Sequence, residues 1–162
     1  VSAYKTGKYV CMSPASVWFT KQLPESKWIE LINHLSSDVT VYLLGAKGDV
    51  ELCNRIKSQD SRANTKVLAG ELNLLQSAAL MKDAQMNYVN DSAPLHLCSA
   101  MNAPVTSFFC STVPAFGFTP LSDQTKIVEV KNLDCRPCGL HGYKSCPKGH
   151  FKCGNEMNVK GL

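Results

Sequence analysis

The sequence predicts an α/β fold, a parallel sheet wound on both faces by helices, and three observations carry the prediction. Apolar β-prone runs alternate with helical stretches over most of residues 8–130. The run Val39–Leu44, Val-Thr-Val-Tyr-Leu-Leu, is almost continuously apolar, as a strand covered on both faces should be. After a further apolar run, Met86–Val89, the chain reads Asn-Asp-Ser-Ala-Pro-Leu-His-Leu (Asn90–Leu97), an acid at a strand end followed by the opening of a helix.

Each element has its own reason. Lys8–Ser13 is a short apolar, β-prone run. Glu25–Ser36 sets Trp28, Leu31, Ile32 and Leu35 at i, i+3, i+4, i+7, the stripe of an amphipathic helix. Val39–Leu44 is the second strand, and Asp49–Ser58 reads as a helix with Val50, Cys53 and Ile56 inward. A short strand lies around Lys66–Leu68, then a helix over Asn73–Lys82 with Asn73 as its cap. Met86–Val89 and Pro104–Phe109 are the next strands. The helix between them runs from Ser92, an N-cap candidate, through Met101, with Pro94 tolerated in its first turn. Ile127–Val130 is the last apolar run. The order β-α-β-α-β-α-β-α-β, with right-handed crossovers, is that of a Rossmann-like doubly wound parallel sheet. No internal repeat or low-complexity segment interrupts it.

At 162 residues and 44% hydrophobic, the chain has enough apolar surface for one real core. No run approaches the roughly 18 apolar residues of a membrane span. Val1–Lys8 lacks the apolar stretch of a secretory signal, and the missing initial methionine reads as a fragment or a processed chain. The net charge of +4 is uneven: residues 1–130 hold 11 basic and 11 acidic side chains, residues 131–162 six basic and two acidic. A neutral body with a basic tail does not suggest a nucleic-acid binder. Weak attraction of the tail for anionic lipid headgroups stands beside the plainer reading, a solvated surface. Cys11, Cys53, Cys98 and Cys110 sit singly in apolar contexts and read as buried thiols, fitting a reducing, cytoplasmic compartment.

In such a fold ligands bind outside the carboxyl ends of the strands. Four segments reach that edge: Ser13–Pro24, Gly45–Asp49, Ala69–Leu72 and Asp91–Ala93. Lys21 can neutralise a diphosphate as a point charge, or be an ordinary surface lysine. Asp49, after a Gly-Ala-Lys-Gly turn, can accept from ribose hydroxyls or cap a helix. Asp91 can fix a neighbouring hydroxyl, while the free N–H groups after Ser92 can hold a phosphate. His96, one turn into that helix, is either a core histidine or a base. No Gly-x-Gly-x-x-Gly, Walker loop or Gly-x-Ser-x-Gly elbow is present, which argues against nicotinamide dehydrogenases, P-loop enzymes and serine hydrolases.

Taken in order, Ser-Pro-Ala-Ser-x-x-x-x-Lys-x-x-Pro, Leu-Leu-Gly-Ala, Leu-Ala-Gly, Asn-Asp-Ser-x-Pro-x-His-Leu, and Cys-x-Pro-Cys with Cys-Pro-x-Gly-His-x-x-Cys form a specific set. The set resembles the C-terminal half of ADP-heptose:lipopolysaccharide heptosyltransferases, the inverting GT-B glycosyltransferases of family 9, over about Tyr9–Met157. The resemblance implies a donor site. Lys21, with Ser16 beside it, would contact the diphosphate. Asp49, where the family usually has glutamate, would meet the ribose. The backbone around Gly70 and Leu72 would flank the adenine. Asp91 would hold heptose hydroxyls, Ser92 and Ala93 would offer amides to the phosphate, and His96 would brace that loop. Ala93 stands where most relatives have glycine. It also implies that the catalytic base lies in an N-terminal, acceptor-binding half, so no catalytic residue is expected here. The chain would bind ADP-heptose yet transfer nothing alone. The lipopolysaccharide core acceptor would be met through that other half, in the cytoplasm or peripherally at the inner membrane.

The expected organisation is a donor domain over residues 1–130 and a Cys-rich basic extension over 131–162 packed on it. Cys135-x2-Cys138 is a zinc half-site that Cys146, His150 or Cys153 could complete, with His141 a further ligand candidate. The resembled enzymes need no metal for catalysis, so no cofactor and no metal ligand is expected, and free thiols or disulfides are the other readings. Two functional alternatives remain: a GT-B domain for a UDP- or GDP-linked sugar, and a non-catalytic zinc-ribbon-bearing binding module.

Overall fold

Six parallel strands form the spine of the molecule. The computed structural model describes residues 1–162. The strands are β1 (Tyr9–Ser13), β2 (Thr40–Leu43), β3 (Thr65–Val67), β4 (Asn87–Asn90), β5 (Val105–Phe109) and β6 (Thr125–Glu129). They lie in the order β3-β2-β1-β4-β5-β6 with every neighbouring pair parallel. Helices α1 (Glu25–His34), α2 (Val50–Ser58), α3 (Leu74–Lys82) and α4 (Ala93–Ala100) fill the crossovers, and α5 (Lys152–Asn155) follows the sheet. The strand order reverses between β1 and β4, the switch point where such sheets open a crevice.

The period of two along each strand divides the core. Val10 and Met12 of β1, Val41 and Leu43 of β2, Tyr88 of β4 and Phe108 of β5 pack with Trp28, Leu31 and Ile32 of α1 and Cys53 and Ile56 of α2. Trp28 meets Phe108 edge-on, with ring centroids 5.4 Å apart. Tyr9, Cys11, Tyr42, Leu44, Val89, Val105 and Phe109 belong to the second cluster, with Leu80, Met81, Leu95 and Cys98 of α3 and α4. The four isolated cysteines are fully buried, and all eight cysteines are free thiols.

The expected elements are present, with shifts at their ends. Leu35 lies just past the last turn of α1, and Asp49 closes a short 3-10 turn ahead of α2. Asn73 caps α3 as expected, but the cap is reciprocal: Asn73 Oδ1 accepts from the Gln76 N–H at 2.8 Å, and Gln76 Oε1 accepts from the Asn73 N–H at 2.9 Å. Ser92 occupies the N-cap of α4, yet its hydroxyl caps no amide. It lies 3.4 Å from the Asn90 carbonyl instead.

The segment after β6 is bound into the body. Phe151, Cys153, Met157 and Val159 enter the same cluster as Trp28, and the Phe151 ring lies 5.1 Å from that of Phe19. Gly154 permits this, since a Cβ there would come within 2.6 Å of the Phe151 ring. No helix is long and apolar enough to cross a membrane.

Candidate functional site

A cavity of about 670 Å³ opens at the carboxyl edge of the sheet, at the switch point. Its floor includes Ser13 and Leu44 at the ends of β1 and β2, and Met81 of α3. Ser16 and Val17 line it from the loop after β1, and Gly45, Ala46 and Asp49 from the turn after β2. Leu72, Asn73, Leu74 and Ser77 come from the start of α3, while Ser92, Ala93, Pro94 and Leu97 come from the start of α4. The wall is thus largely apolar with polar groups at two helix openings, the makeup of a small-molecule pocket.

Five of the nine residues singled out in the sequence line this cavity: Ser16, Asp49, Leu72, Ser92 and Ala93. Asp49 stands at the N-cap position of α2, but its side chain makes no capping hydrogen bond to that helix. Its Oδ2 accepts from the Ala46 N–H at 2.7 Å and closes the turn, leaving Oδ1 without a protein partner at the cavity wall. Gly45 makes room for this fold-back, because a Cβ would meet Asp49 Oδ2 at 2.8 Å. Ala93 opens α4 with φ outside the left-handed region, so no glycine is required there.

Lys21 and Asp91 meet one another beside the cavity. The Lys21 ammonium is 2.9 Å from Asp91 Oδ2, in a pair whose side chains are 17% and 9% exposed. The Thr112 hydroxyl donates to that same oxygen at 2.7 Å. Gly70 is a packing residue: its N–H donates to the Gly45 carbonyl at 2.9 Å, and a Cβ would come within 3.1 Å of the Lys47 Cα. It holds the turn that carries Asp49 rather than lining the cavity. His96 corrects an expectation. It is exposed, makes no hydrogen bond, and packs only edge-on against Phe118 at 6.4 Å, so it does not brace the Asp91 loop. Its place one turn into α4 turns the ring away from the buried side of the helix.

The bracing comes from residues to which the sequence reading gave no role. Asn90, fully buried, accepts from the Leu23 N–H at 2.9 Å and donates to the Pro14 carbonyl at 2.9 Å, fastening the Lys21 loop to β4. Thr20, next to Lys21, exchanges two hydrogen bonds with Tyr143: its N–H donates to the Tyr143 carbonyl at 3.1 Å, and its Oγ1 accepts from the Tyr143 N–H at 2.8 Å. The Arg136 guanidinium donates to the carbonyls of Phe109, Cys110, Thr112 and Val130 and to Glu129 Oε2. Only the position of Asn90 within Asn-Asp-Ser offered a signal. The others are made by pairings across more than a hundred residues or from a segment that reads as a basic tail.

Cys135, Cys138, Cys146 and Cys153 are free thiols that lie close enough to act on one another. No group of three or more His, Cys, Asp or Glu side chains is placed to hold an ion. Cys138 Sγ donates to the Cys135 carbonyl at 3.0 Å, while Cys135 Sγ lies 3.9 Å from His150 Nε2. Burial pushes the Cys153 thiol up to about 11 and raises that of Cys138.

Comparison with known proteins places the chain in a family. The family model for glycosyltransferase family 9 (heptosyltransferase) matches residues 2–146. The chain belongs to this family. It is 28% identical over 133 residues to lipopolysaccharide heptosyltransferase 2 of Escherichia coli K12, covering 80% of this chain and 35% of the relative. Against the enzyme of that name from Salmonella typhimurium LT2 it is 27% identical, over 86% of this chain and 38% of the relative. The chain thus spans well under half the length of these family members. Among solved structures, E. coli ADP-heptose heptosyltransferase II superposes with a TM-score of 0.70 at 24% identity, over 83% of this chain and 44% of that one. A dodecameric iron-containing glycosyltransferase of enterotoxigenic E. coli superposes with a TM-score of 0.65 at 20% identity, over 91% of this chain and 42% of that one. These two share the fold.

Proposed function

We propose that this chain is the donor-binding half of an inverting glycosyltransferase that moves heptose from ADP-heptose to the lipopolysaccharide inner core. The observation that carries the reading is the cavity at the switch point, with Asp49 in its wall and the Lys21–Asp91 pair beside it. Family membership supports the reaction class, and relatives solved with ADP and with an ADP-heptose analogue support the nucleotide.

The chemistry follows from these parts. The base occupies the apolar slot near Leu72 and Leu74, and the free Asp49 oxygen accepts from the ribose. The diphosphate lies toward Ser16 and the opening amides of α4, whose dipole favours negative charge. An ammonium offers three donors, so Lys21 can keep Asp91 and still reach a phosphate oxygen. As the glycosidic bond breaks, charge grows on the departing diphosphate, and these groups stabilise it without reorganising. Inverting transfer also needs a base for the acceptor hydroxyl. In this reading that base belongs to the acceptor-binding half, as does contact with the membrane-borne acceptor.

Titration of the chain with ADP, UDP and GDP tests the proposal. Selective ADP binding, weakened at least tenfold by Lys21→Ala and by Asp49→Ala, is expected, because each removes a charge-assisted contact of roughly 1.5 kcal/mol or more. Selective UDP or GDP binding would replace the donor. Heptose transfer by the chain alone would contradict the assignment of the base.

A further inference from the structure

We propose that Thr112, held in place by Arg136 of the cysteine-rich segment, is a positioning residue that aims Asp91 at the sugar of the bound donor. The inference rests on the donor-binding reading above. Both protein contacts to the Asp91 carboxylate fall on one oxygen: the Thr112 hydroxyl at 2.7 Å and the Lys21 ammonium at 2.9 Å, each on Oδ2. Oδ1 is left without a protein partner. A carboxylate has about four acceptor sites over its two oxygens, so filling one oxygen presents the other. A hydroxyl of a pyranose attached to the nucleoside diphosphate is a donor that suits it. The hydrogen bond it makes to a charged acceptor is stronger than one between neutral groups.

The groups that fill Oδ2 are themselves immobilised. Thr112 is 1% exposed, and its carbonyl accepts from Arg136 Nη2 at 2.7 Å. The same guanidinium holds the Phe109 carbonyl at 3.0 Å and the Cys110 carbonyl at 2.7 Å. Its planar fork therefore pins the turn after β5 at three carbonyls. The Cys138 N–H adds a bond to the Ser111 carbonyl at 2.9 Å. On the other side, Gly142 crosses over the Lys21 stem so closely that a Cβ would lie 3.1 Å from Lys21 Cγ and 2.9 Å from Thr20 Oγ1. Residues 136–143 thus back both partners of Asp91. Recognition of the sugar is built jointly by the sheet edge and by this segment.

The experiment is calorimetric titration with ADP and with ADP-heptose of the parent chain, Thr112→Val, Thr112→Ser, Asp91→Asn and the Thr112→Val/Asp91→Asn double variant. Valine keeps the shape of threonine and removes the hydroxyl. Thr112→Val should weaken ADP-heptose about tenfold while changing ADP by less than about twofold, the difference expected from one charge-assisted hydrogen bond. Thr112→Ser should restore the parent value to within about twofold. In the Asp91→Asn background, Thr112→Val should add no further loss, since the two act as one unit. Equal losses for both ligands would mark Thr112 as structural only and overturn the inference, as would no loss for either. A parent chain that binds neither nucleotide would instead overturn the donor reading, and this inference with it.

Discussion

Ser13 ends β1 with a hydroxyl that has no hydrogen-bond partner, although the residue is only 3% exposed and lines the cavity floor. An unpartnered buried hydroxyl costs about 1–3 kcal/mol. Ser13→Ala should therefore leave the melting temperature unchanged or raised. A melting temperature lowered by this change would refute the reading of Ser13. Asn90 is the opposite case, equally buried but engaged at both ends of its amide. At this scale Lys21, Asp49 and Asp91 could be singled out because charged side chains at strand ends are rarely idle in such a sheet, and the structure puts Asp49 in the cavity wall and pairs Lys21 with Asp91. Hydroxyls are common everywhere, and whether Ser13 or Thr112 matters depends on what lies opposite. His96 misled because a histidine in a motif looks functional until its face of the helix is known.

Among the connecting elements, the loop from α2 to β3 is organised by Asp60. Its Oδ1 accepts from the Arg62 N–H at 2.8 Å and Nε at 3.2 Å, and its Oδ2 from the Thr65 hydroxyl at 2.6 Å. Both side chains are nearly enclosed, with 7% of Arg62 and 1% of Asp60 exposed. Burial alone would raise the Asp60 carboxyl, but the bonds from Thr65 and Arg62 outweigh it and hold it below its ordinary value of 3.8. A depressed folded value means the stabilisation is complete above the unfolded value, near pH 4, and is lost as pH falls through the lowered folded value. Asp60→Ala should cost about 3 kcal/mol at pH 7, because it strands Arg62. Urea melts from pH 6 down to pH 2 should show less acid sensitivity in the variant than in the parent; equal slopes would count against Asp60. The helices were easier to read than this loop. The Trp28, Leu31, Ile32 stripe needs only a local period, whereas Asp60 gains its meaning from neighbours two to five residues on in a conformation no pattern announces.

The whole molecule is one packing unit that includes its C-terminal segment. Met157 and Val159 are fully buried in the cluster that contains Trp28 and Phe108. Met157→Ala should destabilise the chain by about 2–5 kcal/mol and lower a single cooperative transition, since it opens a cavity in the shared core. A separate early transition with the main one unmoved would show the segment to be a detachable appendage.

From the residues alone came the wound parallel sheet, its order of elements and the strand edge at which the cavity opens, because alternation, helical period and chain order are local properties. Tertiary structure alone decided that Lys21 and Thr112 share one oxygen of Asp91, that His96 faces outward, and that the basic, cysteine-rich stretch supports the turn that carries Thr112. Those facts are contacts between segments up to 123 residues apart, such as Thr20 with Tyr143. Burial and hydrogen-bond satisfaction select them only once the chain has closed on itself.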